Sequence, residues 1–167
     1  MKYSKEIFYQ EFIRREDSTN RAPYNPELEF YSIIQNGDTE LVKELCKASP
    51  LKDKKGLGLL SEKPVNNIRY HFVITTALVA RYCIEGGLDV ATAYNLSDFY
   101  IKKSDTMKSV EDISELHAFM CIDYAKKMRN LKKNSICSKP VAECIDYIYD
   151  HLHLSLIHIS EPTRPRL

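Results

Sequence analysis

From Tyr3 to Arg15 the chain reads YSKEIFYQEFIRR, and Ile7, Phe8, Phe12 and Ile13 fall on one face of a helix. A polar stretch with two breakers, Pro23 and Pro26, follows. Pro26 suits a first helical turn, and Leu28, Tyr31 and Ile34 recur at every third position, which predicts a helix over 26–35. Asn36-Gly37 stops it, because glycine tolerates the left-handed conformation that closes a helix. Asp38 is placed to cap the next helix, 39–48, by accepting a hydrogen bond from a backbone N–H near Leu41. That helix is expected to bury Leu41, Val42 and Leu45.

Residues 49–63, SPLKDKKGLGLLSEK, have no period and predict a flexible surface loop. The glycines there lack both a preceding strand and a GK[ST] ending, so they make no phosphate loop. Pro64 opens PVNNIRYHFVITTALVARYCIEGG. Its VITT cluster favours a strand locally, while its length and the Gly86-Gly87 stop favour a helix. No charge stands between His71 and Arg81, which predicts a central helix buried on most faces. Asp89 caps a further helical stretch, with a break expected near Asn95–Ser97. Over 109–132, Val110, Ile113, His117, Met120, Tyr124 and Leu131 recur at three- and four-residue spacing and predict a long amphipathic helix. It ends in RNLKKN, positive charge that suits a helix C-terminus. Asn134 to Pro140 reads as a linker, and Val141, Cys144, Ile145 and Ile148 share the face of a last helix. No strand pattern stands out, so the fold class is all-α: a helical, bundle-like domain followed by the beginning of another.

Composition adds little to this picture. With 44% hydrophobic and 28% charged residues, the 167-residue chain has the make-up of one globular domain, or one and a fragment. Lys and Arg number 24 against 23 Asp and Glu, so net charge gives no argument for nucleic-acid binding. The longest apolar run, Phe72 to Ala80, falls far short of the ~20 residues of a membrane span. Five scattered cysteines without a CxxC, and no apolar run behind the N-terminus, predict free thiols in a cytoplasmic protein.

Candidate chemistry is thin. His151 and His153 form an HxHx₄H pattern only with His158, which lies in the odd C-terminal tail after His153, so no metal site is expected. A lone histidine such as His117, on an apolar face, is better read as packed and hydrogen-bonded than as a phosphate acceptor. Arg69, His71 and Arg81 on the central helix are the candidates for lining a ligand pocket between helices. The competing reading pairs Arg81 with Glu85 one turn away. No nucleophile signature or catalytic triad is legible, so neither an enzyme nor a cofactor is expected.

Three stretches carry a resemblance. APYNPELEFYSIIQNGDTELVKEL, NNIRYHFVITTALVARYCIEGGLDVATAYNLSDFYIKKSD and KPVAECIDYIYDHLH occur in this order in a group of AraC-type bacterial transcription regulators, which the chain resembles over about nine-tenths of its length. The resemblance implies an N-terminal helical regulatory domain over 1–133, for effector sensing or dimerisation, and a linker at 134–140. It also implies the first helix of a helix-turn-helix DNA-binding domain at 141–153, with Val141, Ile145 and Ile148 as scaffold. A homodimer and an unknown small-molecule effector are implied as well, and DNA only as a partner of the full-length parent. The recognition helices that such regulators carry have no counterpart in this sequence, so no base-contacting residue is carried over.

Other families fit less well. FYSIIQNGDTELVKEL resembles the helical half of an ankyrin repeat, but no second copy follows about 33 residues on. Regulators of the TetR type would need a reading helix within residues 1–48, and TELVKELCKAS has few residues suited to one. Residues 154–167 stand apart. Leu154 to Arg164, LSLIHISEPTR, matches residue for residue the translation of a widely used transposase-based sequencing adapter. The expectation is therefore a frame cut short near His153, with a non-native tail excluded from fold reasoning. The rival expectation is a stand-alone helical interaction module that binds no DNA.

Overall fold

The structure, a computed structural model, describes residues 3–16, 24–53, 56–136, 144, 147 and 148. Its elements are α1 (Ser4–Glu16), α2 (Tyr24–Asn36), α3 (Thr39–Ala48), a 3₁₀ turn (Leu51–Asp53), α4 (Pro64–Glu85), α5 (Val90–Asp105) and α6 (Val110–Ile136). Among the described residues there is no strand, as the all-α reading requires. No helix among them is long and apolar enough to cross a membrane.

The caps follow the sequence closely. Gly37 adopts φ +79° and closes α2 with two bonds, from its own N–H to Ile34 O at 3.0 Å and from the N–H of Asp38 to Ile33 O at 3.4 Å. Gly87, at φ +98°, repeats the motif at the end of α4, with its N–H on Ile84 O and that of Leu88 on Cys83 O, both at 2.9 Å. In each case the left-handed residue lets two terminal carbonyls find partners that the helix cannot supply. Asp38 accepts from Leu41 N at 3.0 Å. Asp89 accepts from Thr92 N and Oγ1, bonds that hold its carboxyl below the usual carboxylate range. Replacing Asp38 with Ala should lower stability by about 1 kcal/mol in urea denaturation. An unchanged midpoint would mean that the cap is idle.

Two helices organise the interior. α4 packs on α2, α5 and α6, while α6 also receives α2 and α3. Phe72, Thr76, Val79, Ala80 and Cys83 form the buried stripe of α4, and Ile113, Met120, Tyr124 and Met128 that of α6. The VITT segment is helical despite its local preference for strand. Thr76 satisfies its buried hydroxyl by donating to Phe72 O at 2.8 Å, one turn back. Tyr124 donates to Ala93 O at 2.8 Å, joining α6 to α5, and burial pushes its phenol up from the ordinary tyrosine value.

Several expectations are corrected. α3 buries Thr39, Val42 and Cys46, whereas Leu41 and Leu45 stay more than a third exposed. The stripe that meets α6 is thus 39, 42 and 46, turned away from the 41/45 edge. α5 runs unbroken through Asn95–Ser97, with Ser97 buried. α6 continues to Ile136, so the helix takes up the first residues assigned to the linker. The apolar face of α1 lies open, with Ile7, Phe8 and Phe12 more than half exposed. The helix expected over 141–153 falls outside the described residues, except that Cys144, Tyr147 and Ile148 are helical and exposed. Val141, Ile145 and the tail lie outside them.

Candidate functional site: a cavity between four helices and a loop

Part of the chain read as a surface loop is held against the bundle. His71 Nε2 meets Gly58 O at 2.7 Å. With a carbonyl as partner, that nitrogen must carry the hydrogen. Asn67 Oδ1 accepts from Leu60 N at 2.6 Å and from Ser61 N at 3.3 Å. Residues 56–61 are thereby fastened along the first turns of α4, by contacts that their composition does not predict.

Between this segment, α2, α3, α4 and α6 lies a cavity of about 520 Å³. Its walls are Glu27, Phe30 and Ile33 of α2, Leu45 and Cys46 of α3, His71 and Ile74 of α4, and His117 of α6, closed by Leu51, Leu57 and Leu60 of the connection. The size matches the few-hundred-Å³ clefts that take small molecules, and the lining has their usual make-up, mostly apolar with a few polar groups. It also accounts for apolar side chains that otherwise look misplaced. Leu45, Leu60 and Ile74, 36%, 40% and 47% exposed, face this space.

The polar groups are held in place. Tyr31 donates to Glu27 Oε1 at 2.6 Å, and burial together with that carboxylate pushes its phenol up. His117, 6% exposed, stacks on Phe30 with ring centroids 6.3 Å apart and planes 15° from parallel. Its Nε2 lies 3.8 Å from Cys121 Sγ. Together with Cys46, these residues bring three metal-ligating atoms within 4.8 Å of one another, all buried.

Of the three residues singled out from the sequence, the structure places one at this cavity. His71 lines it. Arg69 instead ties α4 to the connection between α5 and α6. Its guanidinium donates to Ser104 O at 3.2 Å, Met107 O at 2.6 Å and Asn66 Oδ1 at 2.8 Å. Arg81 is exposed and donates to Ala77 O at 2.9 Å, an acceptor one turn behind it on its own helix. A central helix that meets several neighbours spreads its polar residues over different faces, so proximity in sequence did not mean a shared site.

Sequence reasoning missed Cys46 and Cys121 and read His117 only as a packed core histidine. One signal was present: His117 and Cys121 stand four apart, hence one above the other on a helix face. Their meeting with Cys46 depends on the packing of α3 against α6, which no local pattern encodes. No family model matches the chain, and neither a curated protein nor a solved structure shows significant similarity to it.

Proposed function

We propose that the chain is the regulatory part of an AraC-type transcription regulator and that the cavity is its effector site. The observation carrying this reading is the cavity itself: a largely apolar hollow of about 520 Å³ with His71, His117 and Glu27 at its wall. The ordered resemblance of three stretches to that family supports the same assignment. A small, mostly apolar molecule with one hydrogen-bonding group suits such a lining. The effector acts by binding one of two arrangements of the regulator more tightly than the other, which biases the placement of the DNA-binding domains. On this reading the parent is a cytoplasmic homodimer and DNA is its partner, while residues 1–153 bind no operator specifically.

Two measurements test it. Sequencing the source DNA across codons 145–167, from a library made without the adapter, should extend the frame by about 100 residues, a domain's worth, with two helix-turn-helix patterns. A stop codon there in the native gene overturns the regulator reading. A thermal-shift screen of small apolar compounds should find stabilisers of the wild-type chain that lose their effect in Ile74→Arg. That position is half exposed, so the charge obstructs the cavity without being buried in the core. Stabilisers equally effective in both proteins would remove the cavity as the effector site.

A second reading has its own observation. The open face of α1, with Ile7, Phe8 and Phe12 exposed, is a surface an interaction module would present. A native stop near codon 153 would favour it.

A further inference from the structure

We infer that Cys46, His117 and Cys121 form a binding site for a thiophilic metal ion, with zinc(II) the ion that best fits the donors. Cys46 comes from α3, while His117 and Cys121 come from successive turns of α6. All three are buried, at 7%, 6% and 0% exposure. Their ligand atoms lie within 4.8 Å of one another, and His117 Nε2 is 3.8 Å from Cys121 Sγ. Around a tetrahedral zinc, bonds of about 2.3 Å to sulfur and 2.0–2.1 Å to nitrogen separate neighbouring donors by about 3.6–3.8 Å. The pair on α6 already has that separation. Bringing in Cys46 takes a shift on the order of an ångström, within reach of a small χ1 adjustment.

The donor set narrows the ion. Two thiolates and an imidazole select zinc(II) or copper(I) over magnesium, calcium or manganese, which favour oxygen. Binding requires loss of both thiol protons, so affinity rises with pH. Three protein ligands leave one position of a tetrahedron open, unlike the closed four-ligand sites that serve structure alone. Cys46 and His117 also line the cavity, so the open position is available to water or to a donor atom of a molecule bound there. Cys83 provides the contrast. It too is fully buried, but it lies outside the cluster, without two other ligand groups beside it. The inference does not depend on the regulator reading, because the three donors meet whatever the cavity holds.

The test uses the full chain, reduced and stripped with a chelator, and titrated with cobalt(II) as the spectroscopic substitute for zinc. One equivalent should produce thiolate-to-cobalt charge-transfer absorption and intense tetrahedral d–d bands, and zinc should bleach both. Cys46→Ser and Cys121→Ser should each weaken binding by at least about 100-fold, beyond the 10–100-fold typical of outer-shell partners. Cys144→Ser and Cys137→Ser should leave the spectrum unchanged. Zinc should also raise the melting temperature of the wild-type chain and not that of Cys46→Ser, checked as folded by circular dichroism. Absence of the charge-transfer band in the unsubstituted protein at stoichiometric cobalt overturns the site, whatever the variants do. A band that persists in Cys46→Ser and Cys121→Ser does so as well.

Discussion

Replacing Gly37 with Ala should cost at least about 2–3 kcal/mol, far more than a methyl group added to a turn between two short helices would suggest. Two effects add. The residue sits at φ +79°, where an L side chain is strained by roughly 1–2 kcal/mol. A Cβ there would also lie 2.6 Å from the backbone nitrogen of Arg129 and 2.9 Å from its Cα. Those are main-chain atoms of α6, so relief requires moving a helix rather than rotating a side chain. Asparagine separates the two effects. It tolerates the left-handed region but brings the same Cβ, so Gly37→Asn should recover little of the loss. Gly86 is the control. It sits at φ −76°, and a Cβ there meets side-chain atoms of Met128 and Gln35. Gly86→Ala should therefore be milder. Urea midpoints at constant m decide the matter, and a loss below about 1 kcal/mol for Gly37→Ala would mean that α6 does not approach the turn so closely.

Phe72→Ala should be the most damaging change in the core, at about 3–5 kcal/mol. Phe72 is completely buried on α4, the helix that meets α2, α5 and α6. Truncation removes a ring from the place where these helices converge, and the rigid backbones around it cannot collapse into the space. A domain with a total stability of about 5–15 kcal/mol would be left close to its unfolding threshold. Phe72→Leu keeps more of the volume and should cost markedly less. Equal losses for the two variants would argue for a polar or backbone role of the site instead of a packing one.

Much of the fold was legible because its punctuation is local. Gly37, Gly87, Asp38 and Asp89 act through their own backbone geometry and their nearest N–H groups. The sequence pattern therefore located the turns between α2 and α3 and between α4 and α5. Burial was harder to read. The 41/45 edge of α3 is as apolar as its buried stripe, and only the position of α6 decides which side is covered. The candidate site was the least legible. Its walls come from α2, α3, the 56–60 segment, α4 and α6, so its residues are scattered from Pro26 to His117. Leu45, Leu60 and Ile74 look like core residues by type but face a cavity, a distinction that exists only once the helices are packed. Arg69 shows the reverse. It was a reasonable pocket candidate, but two carbonyls around the end of α5 and Asn66 on its own helix claim its guanidinium.

The place of α6 in the chain has a consequence for synthesis. Arg129 donates to Thr39 Oγ1 across 90 positions, and Lys132 reaches the carbonyl of Asn36 across 96. The helix that α2 and α3 pack on is thus the last of the bundle to leave the ribosome. Until it emerges, the buried stripe of α3 and the far side of α4 have no cover, and these segments wait as marginal helices with exposed apolar faces. Closure of the core is then a late, long-range event, slower than the helix formation that precedes it. A nascent chain stalled before residue 110 should engage chaperones, and one released after residue 136 should not.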